Sequence, residues 1–84
     1  MPAGSSNTDC YVQDRDYAGN DLQKMADAAS AVECQQNCQA LPDCKFFTYV
    51  LPEDTSEGQD CFAKTSDAGS YVRTLRVSGP QYCP

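Results

Sequence analysis

Six cysteines in 84 residues constrain this chain more than any other feature of it. A domain this short sits near the size at which one hydrophobic core is marginal and an added constraint is common. The cysteines fall at 10, 34, 38, 44, 61 and 83, an even number separated by uneven gaps of 24, 4, 6, 17 and 22. Zinc modules use closely spaced pairs of Cys and His; this sequence has no histidine and no Cys-x-x-Cys. The expectation is therefore three disulfides, no metal, no other cofactor, and a secreted or extracellular protein.

Charge narrows the partners. Twelve acidic and six basic residues leave a net charge of -6, which disfavours nucleic acid, polyanions and anionic membrane surfaces, since each needs a basic patch. No run of 18 apolar residues is present, so no membrane insertion is expected. Residues 1–9 are small and polar and lack the apolar core of a secretory signal. They are expected to be a flexible N-terminal linker, with 10–84 forming one domain. A disulfide-rich chain without an export signal suggests a module of a longer secreted protein.

In chain order, Cys10 to Tyr17 is expected to be a first strand, turning at Ala18-Gly19-Asn20, and Asp21 to Ala26 a second, with Leu22 and Met25 near the core. The run Asp14-x-Asp16-x-x-Gly19 opens like a calcium loop but places Ala18 and Met25 where oxygen ligands belong, so a solvated turn is preferred. Ser30-Ala-Val-Glu33 fits a capping box, in which the Ser30 hydroxyl accepts from the Glu33 N–H and Glu33 reaches back to the N–H of Ser30. A helix of ten or eleven residues is predicted from there, stopped by Pro42. Ala31, Cys34, Cys38 and Leu41 form its buried stripe, and Glu33, Gln35, Gln36 and Gln39 its wet face. Cys44 to Leu51 is the most strand-like segment, with Phe47, Tyr49 and Leu51 on one face and Phe46, Thr48 and Val50 on the other. Pro52 to Asp60 is a long exposed loop without apolar residues, and Cys61 to Lys64 returns as a partner strand. Tyr71 to Val77 makes a last strand, ended by Ser78-Gly79-Pro80.

Fifteen connectivities are open to six cysteines, and sequence alone does not choose among them. Cys34 and Cys38 project from one helical face and so bond outward, not to each other. Cys38 and Cys44 flank the Pro42 corner and form the natural short bridge; Cys34 can then reach Cys61, leaving Cys10 for Cys83. On chain entropy such loops contribute at most about 10 kcal/mol in total, comparable with the whole stability of a typical domain.

These residues together resemble the PAN/apple domain. The resemblance runs through Cys10, Tyr17-Ala18-Gly19-Asn20-Asp21-Leu22, Ser30-x-x-x-Cys34-Gln35-x-x-Cys38, Pro42-x-Cys44-x-x-Phe47-Thr48-Tyr49, Cys61-Phe62-x-Lys64, Val77-Ser78-Gly79 and Cys83. It implies an α+β fold, a twisted antiparallel sheet of about five strands packed against one α-helix, and the same pairing of Cys10 with Cys83, Cys34 with Cys61 and Cys38 with Cys44. Six-cysteine domains of this family occur in coagulation and kallikrein zymogens and, as tandem repeats, in microneme adhesins of apicomplexan parasites. The absence of a basic surface is closer to the adhesin group, which implies secretion through the microneme and sibling domains in a longer chain.

Catalysis is not expected, because no histidine, Gly-x-Ser-x-Gly, phosphate loop or catalytic metal set is present and all six thiols are accounted for. The expected function is a cell-adhesion module that binds a protein or receptor on a cell surface through its loop and the outer face of its sheet. Glu53, Asp54, Glu57 and Asp60 would suit a basic partner, against the plainer view that they keep a loop soluble. The alternative is a lectin for galactose-containing glycans, as some microneme apple domains are. Sugar recognition needs an aromatic face and fixed polar groups, which directs attention to Lys45, Tyr49, Lys64, Tyr71 and Arg73, with Tyr11, Tyr17 and Tyr82 as further aromatic candidates. A third reading is a spacer in an array whose avidity comes from its siblings.

Overall fold

A computed structural model of the chain describes residues 10–17 and 20–83. The expected linker 1–9 and most of the first turn, Ala18-Gly19, lie outside the described residues. Five antiparallel strands form one sheet in the order β1-β5-β3-β4-β2, where β1 is Val12–Tyr17, β2 Asp21–Met25, β3 Phe46–Val50, β4 Cys61–Lys64 and β5 Ser70–Pro80. One helix, α1, spans Ala31–Gln39.

The helix starts where the sequence marks it. Ser30 is in extended conformation and its hydroxyl accepts from the Glu33 N–H at 3.2 Å. The Glu33 carboxylate returns to the N–H of Ala29 at 2.9 Å, one residue earlier than a capping box predicts. At the other end, Gln81 Nε2 donates to the carbonyls of Cys38 and Leu41, each at 3.1 Å, tying the helix C-terminus and the corner after it to the segment that follows β5. The predicted wet face needs one correction. Gln35 is only 7% exposed, because it accepts from the Tyr11 hydroxyl at 2.6 Å and donates to the Pro80 carbonyl at 3.1 Å.

The core lies between α1 and the sheet. Met25, Ala28, Phe47, Tyr49, Ala63 and the cysteines at 34, 38, 44 and 61 form one cluster, with Tyr11, Ala31, Leu41 and Leu51 packed at its border. Disulfides join Cys34 to Cys61, Cys38 to Cys44 and Cys10 to Cys83, with Cα–Cα distances of 5.6, 5.4 and 5.6 Å. Leu22 is 37% exposed and not part of the core, since β2 is an edge strand and only Met25 turns inward. At the C-terminal end, β5 continues through Ser78, Gly79 and Pro80 because Thr48, Phe47 and Phe46 of β3 pair with them.

Connectivity forces the sheet to curl. β1 and β2 lie on opposite edges, yet only residues 18–20 separate them. In a flat sheet four strand spacings would put them about 19 Å apart, whereas such a link reaches at most about 14 Å. The curl is made within β1 and β5. Gln13 pairs with Val77 but Arg15 with Val72, so four residues of β5 stand against Asp14. Asp14 (φ 57°) and Leu75 (φ 62°) both enter the left-handed region there, a conformation expensive for leucine. The Leu75 N–H donates to Asp14 Oδ1 at 3.2 Å, and the Leu75 carbonyl accepts from Leu51 at 2.9 Å.

The outer face of the sheet, expected from sequence to be free for binding, is instead mostly covered by the curl. Beyond the register break, Tyr17 packs edge-on against Phe46, ring centroids 5.5 Å apart, and the Arg15 carbonyl accepts from Ser78 Oγ at 2.7 Å. Thr48, Val50, Lys64, Arg76 and Ser78 are all buried on this side. The face forms a second, polar core.

Candidate functional site

Where the curled half of β1 and β5 meets β2, β4 and the 52–60 loop, a cleft of about 190 Å³ opens, lined by Asp16, Asp21, Glu57, Phe62, Lys64 and Arg73. Strand alternation supplies the members. Asp21 and Lys64 are direct partners in the β2–β4 pair, so their side chains share a face. Phe62 lies two residues before Lys64 and points the same way. The register break swings Asp16 and Arg73 over to meet them.

Lys64 forms the floor at 4% exposure. Its Nζ pairs with Asp21 and lies 3.4 Å from Asp16 Oδ1 and 5.5 Å from the centroid of the Phe62 ring. A buried ammonium needs such carboxylates. Arg73 forms the wall. Its Nη2 donates to Glu57 Oε1 at 3.2 Å, and its Nη1 donates to the Tyr71 hydroxyl at 3.3 Å and lies 3.6 Å from Asp16 Oδ2. The Tyr71 contact leads the interactions that raise the Arg73 pKa further.

Behind the wall lies Arg76, 3% exposed. One arm donates to Asp54 Oδ2 at 3.0 Å and to the Thr74 carbonyl at 3.2 Å, the other to Glu57 Oε1 at 2.7 Å. Asp54 also accepts from the backbone N–H groups of Glu57 and Ser56 and from the Ser56 hydroxyl. These donors and Arg76 hold its carboxyl far below the usual carboxylate range. The loop expected to wave its acids in solvent is thus folded onto the domain. Asp54, Glu57 and Asp60 pair with Arg76, Arg73 and Lys24, and among the described residues only Glu53 of the four lacks an ion pair.

Of the five binding candidates named from sequence, the structure brings Lys64, Tyr71 and Arg73 together at this cleft. Lys45 is exposed elsewhere, its backbone bonding Lys64 and Gln81. Tyr49 is 1% exposed and its hydroxyl donates to the Ala28 carbonyl at 2.9 Å, so it is a core residue and no ligand can reach it. Burial, and then the nearby Glu33, Glu53 and Asp27, raise its pKa. Sequence reasoning passed over Asp16, Asp21 and Phe62 as binding residues, and named Glu57 only as one of four loop acids suited to a basic partner. The alternation of Asp21, Phe62 and Lys64 on paired strands was a usable signal; the arrival of Asp16 and Glu57 was not. Asp14 and Asp16, read as a solvated turn, bond instead to the Leu75 N–H and to Lys64.

The chain matches the PAN domain family over residues 10–83. It is 31% identical over 75 residues to microneme antigen L2 of Sarcocystis muris, covering 88% of this chain and 51% of that protein. It is also 31% identical over 71 residues to bovine (Bos taurus) coagulation factor XI, covering 82% of this chain and 11% of that one. Among solved structures, the two N-terminal apple domains of Toxoplasma gondii microneme protein 4 superpose with a TM-score of 0.66 at 27% identity, over 88% of this chain and 45% of theirs. A PAN module from Eimeria tenella gives 0.60 at 27% identity, over 89% of this chain and 81% of that one. The chain thus spans about half the length of one curated relative and a tenth of the other. With its helix, curled five-stranded sheet and three bridges, the chain belongs to the PAN domain family.

Proposed function

We propose that this chain is a non-catalytic recognition module of a longer secreted adhesin, and that it binds a protein or receptor on a cell surface through the cleft between the curled β1–β5 segment and β4. The observation that carries the reading is the convergence of Asp21, Glu57, Arg73 and Phe62 on one solvent-open spot, from three strands and a loop. Groups so widely spaced in sequence are held there by a cross-linked scaffold, which keeps the ordering cost of binding low. The test is cell-surface binding by the wild-type module, single and in tandem, against Arg73→Ala and Asp21→Ala. A loss of tenfold or more is expected for each. Unchanged binding by both variants removes the cleft from the reading.

A second reading, a glycan site for galactose-containing chains, is favoured by the internal balance of the cleft. Carboxylates at Asp16 and Asp21 accept, Lys64 and Arg73 donate, and every one of these charges already has an opposite neighbour. A neutral, hydroxyl-rich ligand can add hydrogen bonds to both signs without breaking a pair, with the Phe62 ring for its apolar side. Chemical-shift changes at Phe62 and Asp21 on adding methyl galactoside support it, and a silent spectrum favours a protein ligand.

A further inference from the structure

Glu57 occupies an unusual position. It belongs to the loop, yet one oxygen, Oε1, accepts from Arg76 at 2.7 Å and from Arg73 at 3.2 Å. Arg76 is buried and does not line the cleft. Arg73 is 44% exposed at its side chain and does line it. We propose that the 52–60 loop is the positioning arm of the cleft: Arg76 fixes Glu57, and Glu57 fixes the Arg73 guanidinium at the angle from which it meets a ligand. The inference rests on reading the cleft as the binding site and names Arg76 and Glu57 as its positioning residues.

Three features support the relay. First, Arg76 cannot move independently, because the same guanidinium spans Asp54, Glu57 and the Thr74 carbonyl. A planar fork of five fixed donors suits such a span, and a lysine ammonium would lose part of it. Second, the loop itself is rigid at this point. The Glu57 N–H is tied to Asp54 Oδ1 at 2.8 Å, and Gly58 is so close to the chain that a Cβ there would stand 2.5 Å from the Asp54 carbonyl oxygen. Third, Arg73 uses two of its five donors on Glu57 and Tyr71, so further donors are left for an acceptor atom of a ligand. A long side chain with that much exposure loses considerable rotamer entropy when a ligand orders it, and prior clamping lowers this cost.

The relay is read directly from Arg73 in the ligand-free, 15N-labelled module. Clamping slows rotation about the Nε–Cζ bond, so the two Nη nitrogens give separate signals. Glu57→Gln and Arg76→Lys are both expected to speed this rotation at least tenfold and merge the pair, while the amide protons of Phe47 and Tyr49 keep their exchange protection. Glu57 is a half-exposed loop residue, so its variant folds even if Arg76→Lys does not. Unchanged Arg73 rotation in Glu57→Gln overturns the proposal, as does a change in Glu57→Gln with none in a folded Arg76→Lys. Cell binding supplies the second readout: Glu57→Gln should weaken it as Arg73→Ala does, and the double variant should lose no more than Arg73→Ala alone. If Arg73→Ala and Asp21→Ala both bind normally, the cleft reading fails while the rotation measurement still decides the relay.

Discussion

Tyr49 carries a hydroxyl into a core otherwise made of carbon and sulfur, and the Ala28 carbonyl is what makes this tolerable. Tyr49→Phe removes one buried hydrogen bond and leaves the carbonyl unpaired. It should lower stability by about 1 kcal/mol in urea unfolding without altering cell-surface binding; a binding defect with unchanged stability would return Tyr49 to the ligand site. Asp54 makes a different prediction. Its carboxyl is depressed in the folded loop, so its contribution is complete above the unfolded value of about 4. That contribution is lost as pH falls through the lower folded value. Acidification should therefore release the loop, seen as a loss of protection, relative to the intrinsic exchange rate at each pH, of the Glu57 N–H that Asp54 accepts. Asp54→Asn should already exchange quickly at neutral pH and show little of this pH dependence.

Among the elements, α1 depends most on its ends. It has nine residues, too few to persist alone in water. Ser30→Ala should cost about 1 kcal/mol, measured by thermal or urea unfolding, because the Glu33 N–H loses its acceptor. The last turns of β5 show a tighter constraint at Gly79. A Cβ there would come within 3.0 Å of both the Phe47 and Tyr11 rings, and these rings already pack edge-to-face at 5.1 Å. Gly79→Ala should therefore destabilise by about 1–3 kcal/mol through overpacking; an unchanged unfolding midpoint would show that the rings have room to give. The helix start and the alternation of β3 were legible in the sequence, since each depends on near neighbours; the helix ends at Gln39, short of the ten or eleven residues expected up to Pro42. Gln35 was misplaced on the wet face because its partners, Tyr11 and Pro80, lie 24 and 45 residues away.

For the molecule as a whole, two bridges with fully buried sulfurs pin α1 and the 44–46 segment to the sheet, and a third joins the ends of the domain. The protein is a secreted, extracellular one, as are the microneme antigen and the coagulation factor it resembles, and such a setting preserves disulfides. Full reduction should abolish the dispersed NMR spectrum at neutral pH, since loop closure contributes up to about 10 kcal/mol; a reduced chain that stays folded would show that packing alone suffices. What the sequence by itself determined was the cross-linked α+β class, the helix and strands, and the family, because cysteine spacing, caps and period-two alternation act locally. Only the tertiary structure decided that the outer sheet face is a polar core, that the acidic loop is folded inward, and that Asp16, Glu57 and Arg73 meet Lys64. The physical reason is the short link between opposite edge strands: it curls the sheet, and the curl brings together charges that no local pattern connects.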